Sequence, residues 1–410
     1  MKIRSVTSYV AVQEEGFIAD ALVSQMKEFN NEVRDTFEQS KFELQSMRCA
    51  TNPFSEYLAE FSIAEAVTTV QQIEGVLINS GFDYVSIGTV GVTHPQLYSW
   101  IPEILSNTEN VFATAQMVSS GQPRISVTAI KAISKIMKNL STVEANGFGN
   151  LYFAGLAQVP GGIPFLPAAY KASAEKGLSF ALAMESADLA VEAFACSKTL
   201  DEALDRYRHR IEESAKTLEK IFVQIGHRHG LKFLGFDFTP APFIINESSA
   251  GFAFENIIGC GFGEISSVSA AALVMSALDN ANFKRSGFNG LMLPVLEDNI
   301  LAIRVAEGKL SLKDLLLFST VCGTGLDTIP LPGDISEEQL QAILLDVASL
   351  SVRLNKPLTA RLMPIPGKKA GEMTSFDFPF FTNSRVMSPD CSGLSGLFYA
   401  ADEVVLKPRF

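Results

Sequence analysis

Patterns typical of β-strands and patterns typical of α-helices alternate along almost the whole chain. Short runs rich in branched and aromatic residues are followed by stretches in which apolar residues recur at helical spacing. The clearest helix is predicted over 199–230, with Thr199 as its N-cap and Gly230 as its end. Such alternation is typical of helices that cover a buried, largely parallel sheet, so the sequence predicts an α/β fold.

The number of predicted strands is near ten. They are placed at 3–12, 42–50, 82–92, 110–120, 149–157, 177–184, 231–238, 290–295 and 358–367, with one more ending just before residue 322. A sheet of this size favours an α/β barrel of about ten strands, larger than the common eight-stranded form. Because no linker-like stretch interrupts the alternation, we expect a single large domain over residues 1–410, with an irregular tail from about residue 370.

The composition favours a protein with a large core and a small-molecule ligand. Of the 410 residues, 47% are hydrophobic and 19% are charged, which is enough apolar material for a sizeable interior. The net charge of -12 repels a phosphate backbone, so we expect no nucleic-acid partner. Acidic residues interrupt the most apolar stretches, so we expect no membrane association. A homodimer is the default expectation for a soluble chain of this size.

The cysteines favour a reducing compartment. Five occur, and no two of them form a Cys-x-x-Cys pair, so neither a zinc site nor a dithiol redox site is indicated. Widely spaced thiols in odd number, without a signal peptide, are typical of a cytoplasmic protein. The glycine-rich stretch 259–264 lacks the context of a dinucleotide site, and the His-Arg-His of 227–229 lacks a third metal ligand. We therefore expect no metal and no cofactor.

One candidate catalytic pair lies in the stretch FSTVCGTGLDTIPLPGD, residues 318–334. Cys322 is predicted to follow a strand and precede a glycine turn, where free backbone N–H groups lower the pKa of a thiol and favour a nucleophile. Asp327 can orient a partner or accept a proton. The alternative is structural, with Cys322 as a small buried apolar side chain and Asp327 bonded to N–H groups of its own turn.

A second candidate lies in NGLMLPVLEDN, residues 289–299. Asn289 precedes a predicted strand and is a candidate for substrate binding. Glu297 and Asp298 follow this predicted strand. Two carboxylates in such a position can serve as acid and base. The alternative is that both carboxylates lie in the first turn of the next helix, where they complement its dipole.

Three arginines and an asparagine are candidates for binding an anionic substrate. Arg48 and Asn52 are predicted at the end of a strand, and the carboxyl ends of strands are where α/β proteins place ligands. Arg124 follows a group of small residues, a combination suited to a carboxylate or a phosphate. Arg361 lies in the last predicted strand and is a further candidate anion anchor.

Three stretches of the C-terminal half carry a family resemblance. GFNGLMLPVLEDN, STVCGTGLDTIPLPGDISEEQLQAI and TARLMPIPGKKAGEM, in this order, resemble the corresponding motifs of the DUF711 (UPF0210) family. The similarity covers most of the chain and is strongest from about 236 to 375. The chain departs from the family in the stretches 160–171, 183–188 and 264–268, which marks it as a divergent member.

The resemblance implies a barrel like that of pyruvate formate-lyase and its glycyl radical relatives. It does not imply their radical chemistry, because Arg385-Val386 is not followed by the glycine that a radical loop requires. We expect a cytoplasmic enzyme that acts on a small anionic metabolite in the barrel mouth. The alternative is a catalytically degenerate protein that binds a ligand or regulates a partner on the same fold.

Overall fold

Most strands belong to one large sheet in the computed structural model, which describes residues 1–38, 40, 42–119, 123–321 and 323–409. The strands are β1 (Lys2–Val10), β2 (Met47–Thr51), β3 (Tyr84–Val90), β4 (Val111–Gln116), β5 (Arg124–Ser126), β6 (Phe153–Ala157), β7 (Ser179–Glu185), β8 (Lys232–Asp237), β9 (Gly325–Pro332), β10 (Leu358–Ile365) and β11 (Glu403–Val405). Neighbours in the nine-stranded sheet follow the order β8-β7-β1-β2-β3-β4-β6-β10-β9, while β5 and β11 pair separately.

The central strands of the sheet share one direction. β1, β2, β3, β4 and β6 are parallel neighbours. β7 is antiparallel to β1, and β10 is antiparallel to β6, so the two outer pairs of strands run the opposite way. Every residue of β4, β6, β7, β9 and β10 is buried. Burial on both faces explains why these strands are predominantly apolar and do not alternate between apolar and polar residues.

Helices surround this sheet. They are α1 (Asp20–Glu38), α2 (Ile63–Ile78), α3 (Ile101–Ser106), α4 (Val127–Leu140), α5 (Ala187–Ala195), α6 (Leu200–His229), α7 (Ala250–Ile258), α8 (Ser267–Asp279), α9 (Asn299–Ala306), α10 (Leu312–Val321), α11 (Glu337–Leu354) and α12 (Gly396–Ala400). The predicted ends of α6 are confirmed, because Thr199 accepts a hydrogen bond from Glu202 N and Gly230 adopts the left-handed conformation.

Irregular chain, not a helix, covers part of one sheet face. The segment 158–178 between β6 and β7 receives hydrogen bonds from side chains of two strands. Thr7 Oγ1 donates to the Pro164 carbonyl at 2.7 Å, and Ser86 Oγ donates to the Ala169 carbonyl at 2.7 Å. These bonds satisfy polar groups that would otherwise be buried without a partner, and they hold the segment against the strands.

A second irregular segment, 280–298, contacts both edges of the sheet. Phe236 N of β8 donates to the Lys284 carbonyl at 2.8 Å, and Thr324 N, just before β9, donates to the Leu291 carbonyl at 2.9 Å. This segment therefore lies between the two edge strands, and its last residues lie next to β9.

The predicted α/β class is confirmed, but the sheet does not close into a barrel. It has nine strands rather than ten. Within the described part of the chain, β8 and β9 are joined only through single bridges to the segment 280–298, at Phe236–Arg285 and Pro294–Asp327. The chain beyond residue 370 is largely irregular apart from α12 and β11.

Two strand predictions near the candidate residues were wrong. Residues 290–295 form no strand but a turn with an isolated bridge at Pro294. The run before residue 322 belongs to α10, which ends at Val321, and the strand β9 begins only at Gly325. Short apolar runs fit a buried helix as well as a buried strand, and periodicity alone cannot separate the two.

Candidate functional site

A cavity of about 170 Å³ lies between the central strands and the two irregular segments. Among the described residues, its polar part consists of three arginines, two carboxylates and two uncharged polar side chains. These are Arg4, Arg48, Arg361, Glu297, Asp327, Gln45 and Ser46. Aromatic and aliphatic side chains form the rest of the lining. We call this space the arginine cavity.

A β-bulge places Arg4 in the cavity. Between β1 and β7 the register runs from Ile3–Met184 directly to Ser5–Ala183, so that Arg4 has no partner residue on β7. Bulges of this kind re-aim a side chain that strict alternation would direct elsewhere. Arg4 donates to the Pro242 carbonyl at 3.2 Å and forms an ion pair with Glu297.

A second bulge presents Asp327. Leu326 pairs with Ala360 and Ile329 pairs with Leu362, so Asp327 and Thr328 on β9 together face Arg361 on β10. Thr328 has a φ of 44°, in the left-handed region, which is unfavourable for a β-branched residue. Strain of this kind collects at functional sites, and here it lies directly beside a carboxylate of the cavity.

Arg361 joins the two carboxylates of the cavity. Its Nε donates to Asp327 Oδ1 at 2.6 Å, and its Nη2 donates to Glu297 Oε1 at 2.8 Å. All three side chains are almost fully buried. Burial alone would raise the pKa of Glu297, but the guanidiniums of Arg4 and Arg361 outweigh it and hold the pKa of this carboxyl below its usual range.

Asp327 behaves differently from Glu297. Burial raises the pKa of Asp327 above the ordinary value of a carboxyl, although the charge of Arg361 acts in the opposite direction. Among the described residues no donor reaches its second oxygen, Oδ2. Asp327 is therefore the cavity carboxylate with a free oxygen and an environment suited to proton exchange.

Arg48 is the cavity arginine without a carboxylate partner in the described part of the chain. It is the second residue of β2 and lies opposite Tyr84 of β3, whose ring centroid is 5.9 Å from the guanidinium carbon. Its Nε donates to Ser46 Oγ at 3.0 Å. Burial, reinforced by the charge of Arg4, lowers the pKa of Arg48 to about 9. An anion beside this guanidinium would relieve that unfavourable environment.

Aromatic rings form a continuous wall from Arg48 to the surface. Successive neighbours in this wall have ring centroids 5.0–6.1 Å apart, in the sequence Tyr84, Phe112, Tyr152, Phe148, Phe378 and Phe380. We call these six residues the aromatic wall. Burial raises the pKa of Tyr152 to about 12, so its hydroxyl is neutral at physiological pH. Phe380, at the far end, is 41% exposed and marks the rim.

Four of the predicted site residues meet in the arginine cavity, namely Arg48, Glu297, Asp327 and Arg361. Asp298 lies elsewhere. It is the N-cap of α9, where its Oδ1 accepts hydrogen bonds from Ser249 Oγ, Ile300 N and Leu301 N. The structural alternative considered for the acidic pair thus describes Asp298, whereas Glu297 faces the cavity.

Three further predicted binding residues are not among the cavity-lining side chains. Asn52 accepts from Val12 N and donates to Glu56. Arg124 is the exposed first residue of β5 and pairs with Glu403 at 3.1 Å. Asn289 bonds to backbone groups of β8 and of its own turn, and so fixes the segment 280–298. Cys322, the predicted nucleophile, lies outside the described residues.

The cavity lies at a different end of the parallel strands from the one we expected. β2 begins at Met47, because 42–46 forms only one bridge, at Leu44. Arg48 and Tyr84 are therefore at the amino ends of their strands, as is Arg4. The rule that ligands lie at carboxyl ends holds for open parallel sheets. Here β9 and β10, which are parallel to each other and run opposite to the central strands, contribute Asp327 and Arg361 at this opposite end.

Sequence reasoning missed Arg4 and the aromatic wall. Arg4 stands within an otherwise buried strand pattern, and a charged residue in such a run was the available signal. The wall could not be recognised, because its rings come from β3, β4, the 3₁₀-helix Ala145–Tyr152 and the tail segment 378–380. Only the fold brings these distant segments together.

Metal and membrane features are not apparent in the described residues. No group of three or more histidine, cysteine, aspartate or glutamate side chains is arranged to hold a metal ion there. No helix in the described ranges is long and apolar enough to cross a bilayer.

The fold and the cavity define an α/β protein that presents a buried arginine–carboxylate cluster beside an aromatic wall. The model of the family described as uncharacterised ACR (DUF711) matches residues 1–383, and the chain belongs to this family. Similar proteins include the UPF0210 protein of Syntrophobacter fumaroxidans, 27% identical over 347 residues, which are 80% of this chain and 76% of that protein. A UPF0210 protein of Pyrobaculum aerophilum is 29% identical over 346 residues, 80% of this chain and 75% of the relative.

Proposed function

We propose that the protein is an enzyme that binds a small organic anion in the arginine cavity. The observation that carries this proposal is Arg48, a partly buried arginine that forms no ion pair with a described carboxylate, although the charge of Glu297 acts on it from a longer distance. Arg4 and Arg361 are already paired with Glu297 and Asp327. The cluster therefore keeps one positive charge, and its planar guanidinium suits a carboxylate or a similar oxyanion.

Each charged group of the cavity has a distinct role in this proposal. Arg48 holds the anion. Glu297 bridges Arg4 and Arg361 and keeps both guanidiniums in place. Asp327 exchanges a proton with the ligand through Oδ2, the oxygen that no described donor reaches. Cys322 remains the nucleophile proposed from the sequence, and no glycyl radical takes part. We further propose a cytoplasmic location and a homodimer.

The alternative function is ligand binding without turnover. The engagement of both cavity carboxylates by arginines favours it, since such groups can serve only to order the guanidiniums. Both functions require an anion bound at Arg48. Only the enzyme also requires Asp327, for proton exchange with the ligand.

Binding and turnover can be tested on one set of proteins. Thermal unfolding is measured with acetate, pyruvate, succinate, phenylacetate and inorganic phosphate. A ligand at a hundred times its dissociation constant adds about 2.7 kcal/mol of stability. We expect at least one organic anion to stabilise the wild type and the control Arg124→Gln, and to lose its effect in Arg48→Gln. Equal stabilisation of Arg48→Gln and Arg124→Gln, or no stabilisation by any anion, contradicts the proposal.

Turnover is then followed by proton NMR of the bound anion in the presence of the protein. The enzyme proposal expects conversion by the wild type and none by Asp327→Asn, with binding retained in both. Binding without conversion by the wild type supports the alternative.

A further inference from the structure

We propose that the ligand of the arginine cavity is a monoanionic carboxylate attached to an aromatic ring. This inference rests on the proposed function, since it names the substrate class of the same cavity. It depends on two independent features of the lining, the count of its charges and the arrangement of its rings.

The charges of the lining accommodate one negative charge. Among the described residues, three guanidiniums and two carboxylates line the cavity, and the ion pairs of Arg4 and Arg361 engage both carboxylates. A second negative charge on the ligand would have to displace Glu297 or Asp327 from a buried ion pair. Breaking such a pair leaves an uncompensated buried charge, which is strongly unfavourable. The lining thus favours a monoanion over a dianion.

The ring arrangement favours a flat, unsaturated ligand body. The aromatic wall begins at Tyr84, next to Arg48, and each ring lies within contact distance of the following one. Most of these contacts are edge-to-face, an arrangement that exposes both edges and faces to a neighbouring ring. A ligand ring placed along the wall can add a further contact of the same kind.

Most of the remaining lining, apart from Gln45 and Ser46, is also apolar. Phe165 and Leu166 of the segment 158–178 and Met292 of the segment 280–298 line the same cavity. Their side chains offer no charge and no hydrogen-bond donor to a polar ligand body. The carboxylate would therefore lie at Arg48, with the ring between the aromatic wall and these three side chains.

The orientation of the ligand follows from the burial of the lining. Glu297, Asp327 and Arg361 are buried, whereas Phe380 at the rim is exposed. Because the wall leads from Arg48 to this rim, a larger substituent on the ring would point towards solvent. Substituents at the far end of the ring should accordingly be tolerated better than substituents beside the carboxylate.

Isothermal titration of the full chain with four carboxylates tests the inference. Phenylacetate is the expected class, cyclohexylacetate has a ring of similar size that is not flat, acetate has no ring, and phenylmalonate adds a second charge. We expect phenylacetate to bind about tenfold more tightly than cyclohexylacetate, the size of effect that one or two ring contacts provide. It should also bind more tightly than acetate and phenylmalonate.

Variants of the wall separate the inference from the proposed function. Phe378→Leu and Phe112→Leu should each reduce the preference for phenylacetate over cyclohexylacetate severalfold and leave acetate unchanged. Phe17→Leu, at an exposed position away from the cavity lining, is the matched control. Either wall variant suffices if circular dichroism shows that the other is not folded.

Different results overturn different statements. Equal binding of phenylacetate and cyclohexylacetate, or tighter binding of phenylmalonate, overturns the inference and leaves the proposed function in place if Arg48→Gln still abolishes binding. Binding of all four carboxylates that is indifferent to Arg48→Gln, or no binding at all, overturns both.

Discussion

Arg361 Nε lies 2.6 Å from Asp327 Oδ1, and a β-bulge creates this contact. Two residues of β9, Asp327 and Thr328, occupy the space that faces the single residue Arg361 on β10. The extra residue turns a carboxylate into the cavity in the middle of a buried strand. Thr328 takes up the distortion in its positive φ, so local strain and cavity chemistry have the same origin.

The strain at Thr328 can be measured. Thr328→Gly removes the whole buried side chain, that is Cβ, a methyl group and a hydroxyl, but also relieves a backbone conformation that costs about 1–3 kcal/mol. Thr328 Oγ1 has no hydrogen-bond partner in the described part of the chain, so no bond is lost. We expect the free energy of unfolding, from urea titration, to stay within about 1 kcal/mol of the wild type.

Thr114→Gly is the matched control for this measurement. Thr114 is buried in β4, without a positive φ, and its hydroxyl donates to the Gly88 carbonyl at 3.2 Å. Its loss should lower the free energy of unfolding by about 2–3 kcal/mol. Equal losses in the two variants would show that the bulge is not strained.

Glu297 should contribute more to stability than an exposed partner of an arginine. Glu297→Gln leaves the buried guanidiniums of Arg4 and Arg361 without their shared carboxylate, which should cost about 3–5 kcal/mol. Glu403→Gln breaks the exposed pair with Arg124 and should cost less than about 1 kcal/mol. Urea unfolding of both variants at neutral pH checks the difference, and similar costs would contradict the buried network.

Glu297 should also make the free energy of unfolding depend on pH under acidic conditions. Its pKa is lower in the folded protein than its ordinary value of 4.5, so the unfolded chain takes up the proton first as the pH falls. The stability that Glu297 contributes is fully present above about pH 4.5 and is lost as the pH falls through the folded pKa. Below pH 4.5 we expect the free energy of unfolding to fall more steeply in the wild type than in Glu297→Gln. Parallel curves would contradict this role.

Gly287 should be irreplaceable in the segment that carries Glu297. Its φ is 86°, and an added Cβ would lie 2.2 Å from Asp237 Oδ2. Asp237 accepts hydrogen bonds from Phe288 N at 2.6 Å and Asn289 N at 2.9 Å, which attach the segment to β8. Gly287→Ala should lower the free energy of unfolding by about 3 kcal/mol or more, because strain and lost hydrogen bonds add.

Gly177→Ala is the matched control, since Gly177 also has a positive φ but no atom within 4 Å of the added Cβ. In Gly177→Ala only the cost of holding an alanine in the left-handed backbone conformation remains, about 1–2 kcal/mol. Thermal and urea unfolding of the two variants give the comparison. A loss in Gly287→Ala no larger than in Gly177→Ala would mean that the segment is not held as described.

The cysteines should differ widely in reactivity towards iodoacetamide at neutral pH. Burial raises the pKa of Cys49 and blocks access to it, so this thiol should react only on unfolding. The exposed Cys196 should react at the rate of an ordinary thiol. If Cys322 is the nucleophile proposed from the sequence, it should react faster than Cys196. Peptide mass mapping over time gives these rates, and a slower Cys322 would remove it from the proposed chemistry.

Local sequence signals predicted much of the fold. Thr199 and Gly230 bound α6 as expected, and Ser62 forms a capping box with Glu65, the arrangement that a Ser-x-x-Glu pattern favours. These features depend on residues close together in the chain. The α/β class follows equally from the alternation of patterns over the whole length.

The candidate site was only partly predictable, for two physical reasons. Arg4 and Asp327 enter the cavity through bulges, and a bulge breaks the alternation on which assignment of a face depends. The acidic pair is divided between two roles, because a turn ends between the cavity-facing Glu297 and the helix cap Asp298. Neither event has a marker in the sequence beyond the residues themselves.

The proposed function requires that Arg48 holds an organic anion beside the aromatic wall. Co-crystals with 4-bromophenylacetate test this requirement, because the anomalous signal of bromine locates the ring. We expect one bromine peak on the rim side of the cavity, with the carboxylate in hydrogen-bond distance of the Arg48 guanidinium and no such peak in crystals of Arg48→Gln. A bromine peak outside the cavity, or an unchanged peak in Arg48→Gln, would show that Arg48 does not hold the anion.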